Sequence, residues 1–72
     1  MITEPDLDEI FKYHPPDAEQ LVQYEAIREG AKTFAKIILA NSPPSADQTT
    51  AVRRVRETVM IANAAIALHG RY

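Results

Sequence analysis

Apolar residues recur along this chain with the rhythm of a helix. Tyr24, Ile27, Ala31, Phe34 and Ile38 follow one another at alternating spacings of three and four, and Leu21, Ala35 and Ile37 widen the stripe. Val52, Val55, Val59, Ala62 and Ile66 form a second seam of the same kind. The pattern predicts two long helices, over about 17–41 and 46–68, and no strand. Their ends carry matching signals. Asp17 stands as an N-cap with Gln20 three residues on, and Ser45 with Gln48 repeats the capping-box arrangement. Asn41-Ser42-Pro43-Pro44 stops the first long helix, which makes the pair a tight antiparallel hairpin. Ahead of it, Thr3 is placed to cap a short helix with Pro5 in its first turn. That helix carries Leu7, Ile10 and Phe11 on one side and Asp6, Asp8 and Glu9 on the other. It is expected over about 3–13, because Pro15 and Pro16 lack backbone donors and hold the preceding residues extended. The expectation is an all-α fold in one domain spanning 1–72: a short N-terminal helix followed by a long antiparallel helical hairpin.

The second long helix has more apolar surface than one partner needs. From Met60 to Leu68 it is apolar nearly all round, with Asn63 the exception, and its small alanines permit close backbone approach. A 72-residue chain buries too little of its surface to be comfortably stable alone. The usual staples are missing from the sequence. There is no cysteine, and His14 and His69 are too far apart to suggest a metal cluster. Self-association remains, and a homo-oligomer is expected. Asn63 within that surface needs partners for its amide, so it either fixes oligomer register or touches a ligand.

A net charge of −2 argues against a binder of DNA or RNA polymers, which would carry a basic excess. No stretch is apolar for long enough to cross a bilayer, so no membrane partner is expected. The acidic start, Met1 to Glu9, lacks the flank and apolar run of a signal peptide. The expected compartment is the cytosol. Catalysis finds little support. The serines sit at helix caps and turns, no glycine-flanked serine elbow exists, and two glycines are too few for a phosphate-cradling loop. Asp8 and Glu9, or Glu25 and Glu29, read best as solvated helix faces. No enzyme, cofactor or metal is expected.

Basic residues carry the candidate chemistry. Arg28, Lys32 and Lys36 fall at i, i+4 and i+8 on the first long helix, and Arg53, Arg54 and Arg56 cluster early on the second. Two readings stand: a wet surface paired with Glu25, Glu29 and Glu57, or a stripe that meets phosphate. The corner Tyr13-His14-Pro15-Pro16 favours the second. An aromatic face stacks on a nucleobase and a guanidinium grips phosphate, so Tyr13 and Arg28 match the two halves of a nucleotide. Against this, Tyr13 could simply pack on the hairpin and His14 could cap the turn. Gly30, costing roughly 1 kcal/mol against alanine in a helix, marks either close approach by a helix or ligand, or a tolerated residue.

The runs FKYHPP, YEAIREGAKTFAKIIL and PPSADQTTAVRRVRETVMIANAAIAL strongly resemble the small phage-encoded sponge proteins that counter CBASS immunity by sequestering cyclic oligonucleotide signals. The similarity extends from Phe11 to Leu68. Its most specific pieces are the Tyr-His-Pro-Pro corner, the Tyr-Glu-x-Ile-Arg start of the first long helix, and the Val-Met-x-Ala-Asn-Ala-x-Ile-Ala ending. The same helical-hairpin superfamily includes sponges that counter Thoeris immunity by trapping cyclic ADP-ribose isomers.

This resemblance implies compact oligomers, commonly hexamers, that hold ligands at subunit interfaces without cleaving them in the cytoplasm of the infected bacterium. It implies cyclic dinucleotides such as cyclic GMP-AMP as ligands, with Tyr13 stacking on a base and Arg28 meeting phosphate. His14 and Lys32 join them as neighbours. Some relatives hold cyclic trinucleotides at a separate site near a symmetry axis, and here the chain departs from the pattern. Asp47-Gln48-Thr49 stands where relatives often have an arginine, Arg53 lies over a turn later, and Gly30 replaces a hydroxyl side chain. Gln48 and Arg53 are the candidates for that second site. Dinucleotides are therefore expected first and trinucleotides second. The competing readings are a sponge for cyclic ADP-ribose isomers and a non-catalytic helical interaction protein that presents Arg53 to Arg56 to an acidic partner.

Overall fold

The computed structural model describes all 72 residues as three helices, α1 (Glu4–Phe11), α2 (Ala18–Asn41) and α3 (Ala46–Ala67). Helices α2 and α3 pack against each other, whereas α1 packs against neither. The all-α expectation of a short helix ahead of a long antiparallel hairpin matches this architecture.

Local chemistry accounts for each helix end. Asp17 and Gln20 form a complete capping box: the Gln20 N–H donates to Asp17 Oδ1 at 2.8 Å, and the Asp17 N–H to Gln20 Oε1 at 3.1 Å. The Gln20 amide also donates to the Ile66 carbonyl at 3.2 Å, which ties the first turn of α2 to the last turn of α3. At the hairpin bend only half of the expected second box forms. Ser45 Oγ accepts from the Gln48 N–H at 3.1 Å, but the Gln48 side chain turns back to the Ser42 carbonyl at 3.0 Å and Ser42 Oγ at 3.2 Å. Gln48 thus clamps the Pro43-Pro44 bend with its amide donors, for which the N–H groups of its own helix end offer no acceptor.

Helix α1 stops at Phe11, two residues short of the expected end. Lys12 is already extended, with ψ 160°, and the His14 ring Nε2 sits 2.7 Å from the Glu9 carbonyl. The imidazole takes the place of the next helical N–H. At the other terminus, α3 closes with Gly70 in the left-handed region (φ 73°), its N–H donating to the Ala65 carbonyl at 2.8 Å. His69 shares that conformation with φ 55°. Arg71 then reaches back to Glu9 at 3.1 Å, so the C-terminus and Glu9 together tether α1.

The hairpin seam is thin. Ile27, Ala31, Ala35, Ile38, Val52, Val55, Val59 and Ile66 are half-buried, and no residue of the chain is fully shielded from water. The molecule measures 46 × 28 × 16 Å, with a radius of gyration of 15.4 Å. A globular chain of this length would have a radius near about 11 Å. Its accessible surface is 5761 Å², against roughly 4,500 Å² for a compact monomer of the same mass. Phe11, Tyr13, Val22 and Ile61 remain 64–81% exposed. No helix is long and apolar enough to cross a membrane.

Candidate functional site

Arg28 lies in the middle of α2, and its neighbours at i−4 and i+4 are Tyr24 and Lys32. The hairpin brings α3 alongside antiparallel, so the residues facing Arg28 come from the second half of that helix. Leu21, Tyr24 and Arg28 from α2, with Asn63, Ala64 and Ala67 from α3, line an open groove of about 430 Å³. Small alanines make it possible, since longer side chains at 64 and 67 would fill it. Nearer the bend, Arg28, Ala31, Lys32 and Ala35 face Val52, Val55, Arg56 and Val59 across a second groove of about 260 Å³.

Electrostatically these grooves are cationic. The chain's ion pairs are Lys12 with Glu9, Arg54 with Glu57, and Arg71 with Glu9. Arg28, Lys32 and Arg56 take no carboxylate within ion-pairing distance, although Glu25 and Glu29 neighbour them in sequence. Of the expected pairings of the stripe, the one between Arg54 and Glu57 forms, and Arg28 and Lys32 stand exposed and unpaired. Asn63 lines the first groove, and its side-chain Oδ1 is shielded from water without a hydrogen-bond partner. A buried amide oxygen left unpaired costs about 1–3 kcal/mol.

Of the residues marked in the sequence, Arg28 and Lys32 come together at the grooves. Tyr13 is 80% exposed on the linker between α1 and α2, and no groove of the chain is lined by both it and Arg28. His14 is engaged with the Glu9 carbonyl, Gln48 with Ser42, and Arg53 projects from α3 outside both grooves. In the sequence Tyr24 reads as part of the packing stripe, although its place one turn before Arg28 is a usable signal, and Arg56 reads as one of three clustered arginines in the basic stripe. Arg56 lies three residues beyond Arg53, a step that carries it about 60° around the helix, and nothing in a linear run of arginines says which of them faces α2. Gly30 lies on the other side of the seam, and a Cβ built there meets open space within the chain.

No set of His, Cys, Asp and Glu is grouped to hold a metal ion. An arrangement of unpaired cations, a tyrosine and an amide around an apolar floor has the chemistry to hold a polar anionic ligand. It holds no nucleophile and base to transform one. No curated protein and no solved structure matches the chain. A family model does, over residues 3–67, and its description is "Acb2/Tad1, hairpin domain". That match takes in all three helices from the Thr3 cap to the end of α3, and it places the chain in the Acb2/Tad1 family, the non-catalytic helical-hairpin sponges that bind cyclic nucleotide second messengers of anti-phage immunity.

Proposed function

We propose that this sponge takes cyclic dinucleotides such as cyclic GMP-AMP as its principal ligands, in pockets completed between subunits of a homo-oligomer. The observation that carries the reading is Arg28, a guanidinium free of carboxylates on the rim of an apolar groove. Tyr13 supplies the stacking face. Because it stands exposed and away from Arg28 within one chain, the two converge only when a neighbouring subunit brings its own Tyr13 corner to this groove. The excess of exposed apolar surface supports such an assembly, and the resemblance points to a hexamer. Cyclic trinucleotides are the second ligand class, with Arg53 and Gln48 as the residues nearest to the expected position. Acting in the cytoplasm of the infected bacterium, an abundant binder lowers the free signal below what a CBASS effector needs, with no chemical step.

The test is calorimetric titration with a panel of cyclic di- and trinucleotides and cyclic ADP-ribose isomers, followed by heat release of the bound ligand. Tight binding of cyclic GMP-AMP and its recovery intact are expected. Preference for a cyclic ADP-ribose isomer would move the protein to the Thoeris branch. Tyr13→Ala and Arg28→Ala should each abolish measurable binding at unchanged oligomer mass, and collapse of the mass instead would reduce both residues to packing.

A further inference from the structure

The two grooves at Arg28 are one trough. Their linings share Arg28, and both run along one face of the hairpin, from Leu21 and Ala67 at one end to Ala35 and Val52 at the other. Fourteen helical steps of about 1.5 Å make the trough about 21 Å long. Its floor is apolar, made by Ala31, Ala35, Val52, Val55, Val59, Ala64 and Ala67. Its polar groups are segregated along it. Arg28, Lys32 and Arg56 stand toward the bend, and Tyr24 and the unpaired Asn63 Oδ1 stand toward the open end. The other side of the seam differs: Ile27, Gly30, Phe34, Val55 and Thr58 line a groove with no charged residue at all.

We infer that Arg56 is a phosphate-binding residue of the nucleotide site, completing a three-cation cluster with Arg28 and Lys32. This rests on the sponge reading and extends it to a residue that the family match does not assign and that the linear sequence offers only as one of three clustered arginines. Charge complementarity selects the occupant. Three cations with no carboxylate among them repel one another, and a dianionic cyclic dinucleotide relieves that repulsion. A helix of a second copy lying in the trough would offer apolar side chains to the floor and nothing regular to the cations. Arg54 is excluded because Glu57 already holds it at 2.9 Å, and Arg53 because it lies outside the trough.

Cyclic GMP-AMP is titrated into the wild-type protein and into Arg56→Ala, Arg56→Lys and Arg54→Ala, with the mass of each assembly measured beside it. A charge-assisted phosphate contact predicts about tenfold to a hundredfold weaker binding for Arg56→Ala at unchanged mass. Arg56→Lys should retain part of the affinity, and Arg54→Ala should stay within about twofold of wild type. Arg56→Ala also shallows the salt dependence of binding, which loss of a packing contact does not. Wild-type affinity in Arg56→Ala overturns the inference while leaving the sponge reading intact. Loss of affinity accompanied by a changed mass overturns it as well, by making Arg56 an assembly contact. Failure of the wild type to bind cyclic GMP-AMP removes the reading on which the inference rests.

Discussion

Gly30 and Gln48 show how one side chain, or its absence, is decided by what surrounds it. A Cβ at Gly30 meets nothing within the chain, and Gly30 sits mid-helix, where glycine is about 1 kcal/mol worse than alanine. Gly30→Ala is therefore expected to raise the thermal midpoint by a few degrees, roughly what 1 kcal/mol does in a domain of this size. A lowered midpoint in a scanning calorimeter would show that another subunit's backbone reaches this position. Gln48→Ala removes both bonds to Ser42 and should cost about 1–2 kcal/mol at the bend with helix content retained, readable by denaturant unfolding followed by circular dichroism. At this scale the candidate site was partly legible. Arg28 and Lys32 stood out because a charged stripe at i and i+4 shows in any helical wheel. Arg56 and Tyr24 did not, since their relevance depends on which faces of α2 and α3 oppose each other, a relation set by the Pro43-Pro44 bend and by no local pattern.

Helix α1 is the element with least support. It packs on neither long helix and is held through Glu9, whose carboxylate meets Lys12 at 2.9 Å and Arg71 at 3.1 Å, and through the His14 ring on its backbone. The hydrogen bond from Lys12 is the main cause that lowers the Glu9 pKa below the usual carboxylate range, with Arg71 adding to it. Asp6 is lowered too, by the Thr3 backbone N–H that it caps. A depressed carboxylate pKa contributes stability that is fully present above the unfolded value and disappears as pH falls through the folded one. The α1 tether should thus be intact at neutral pH and released in acid, below the usual carboxylate range. Amide exchange in residues 4–11 should rise there before exchange in α2, and Glu9→Gln should produce the same loosening at pH 7. Equal protection of both helices across the acid range would contradict this account. The long helices were readable in advance because their caps, prolines and apolar stripes are all local. The end of α1 was not, because it is set by a histidine ring folding back five residues.

As a whole molecule the chain is a rod whose surface exceeds that of a compact monomer by roughly 1,300 Å², more than one standard interface takes from each partner. Sequence periodicity already implied this excess, since Met60 to Leu68 is apolar around nearly the whole helix. The number and arrangement of subunits were not implied, because they depend on how curved surfaces meet. The expectation is an oligomer by mass measurement at micromolar concentration, with a thermal midpoint that rises on dilution-resistant binding of cyclic GMP-AMP. A ligand present at 100 times its Kd should add about 2.7 kcal/mol to the folded assembly. A midpoint independent of protein and ligand concentration would mean that the lone chain is self-sufficient.

The want of any fully sheltered residue has a further consequence for timing. In the proposed assembly a protomer with no dry interior would gain its order by meeting others, so folding, pocket formation and signal capture would rise together, steeply, with the number of copies made. Early in an infection a few chains would trap almost nothing. Past a threshold of synthesis the trapping capacity would switch on abruptly, giving a stoichiometric device the sharp onset more often associated with an amplifying enzyme.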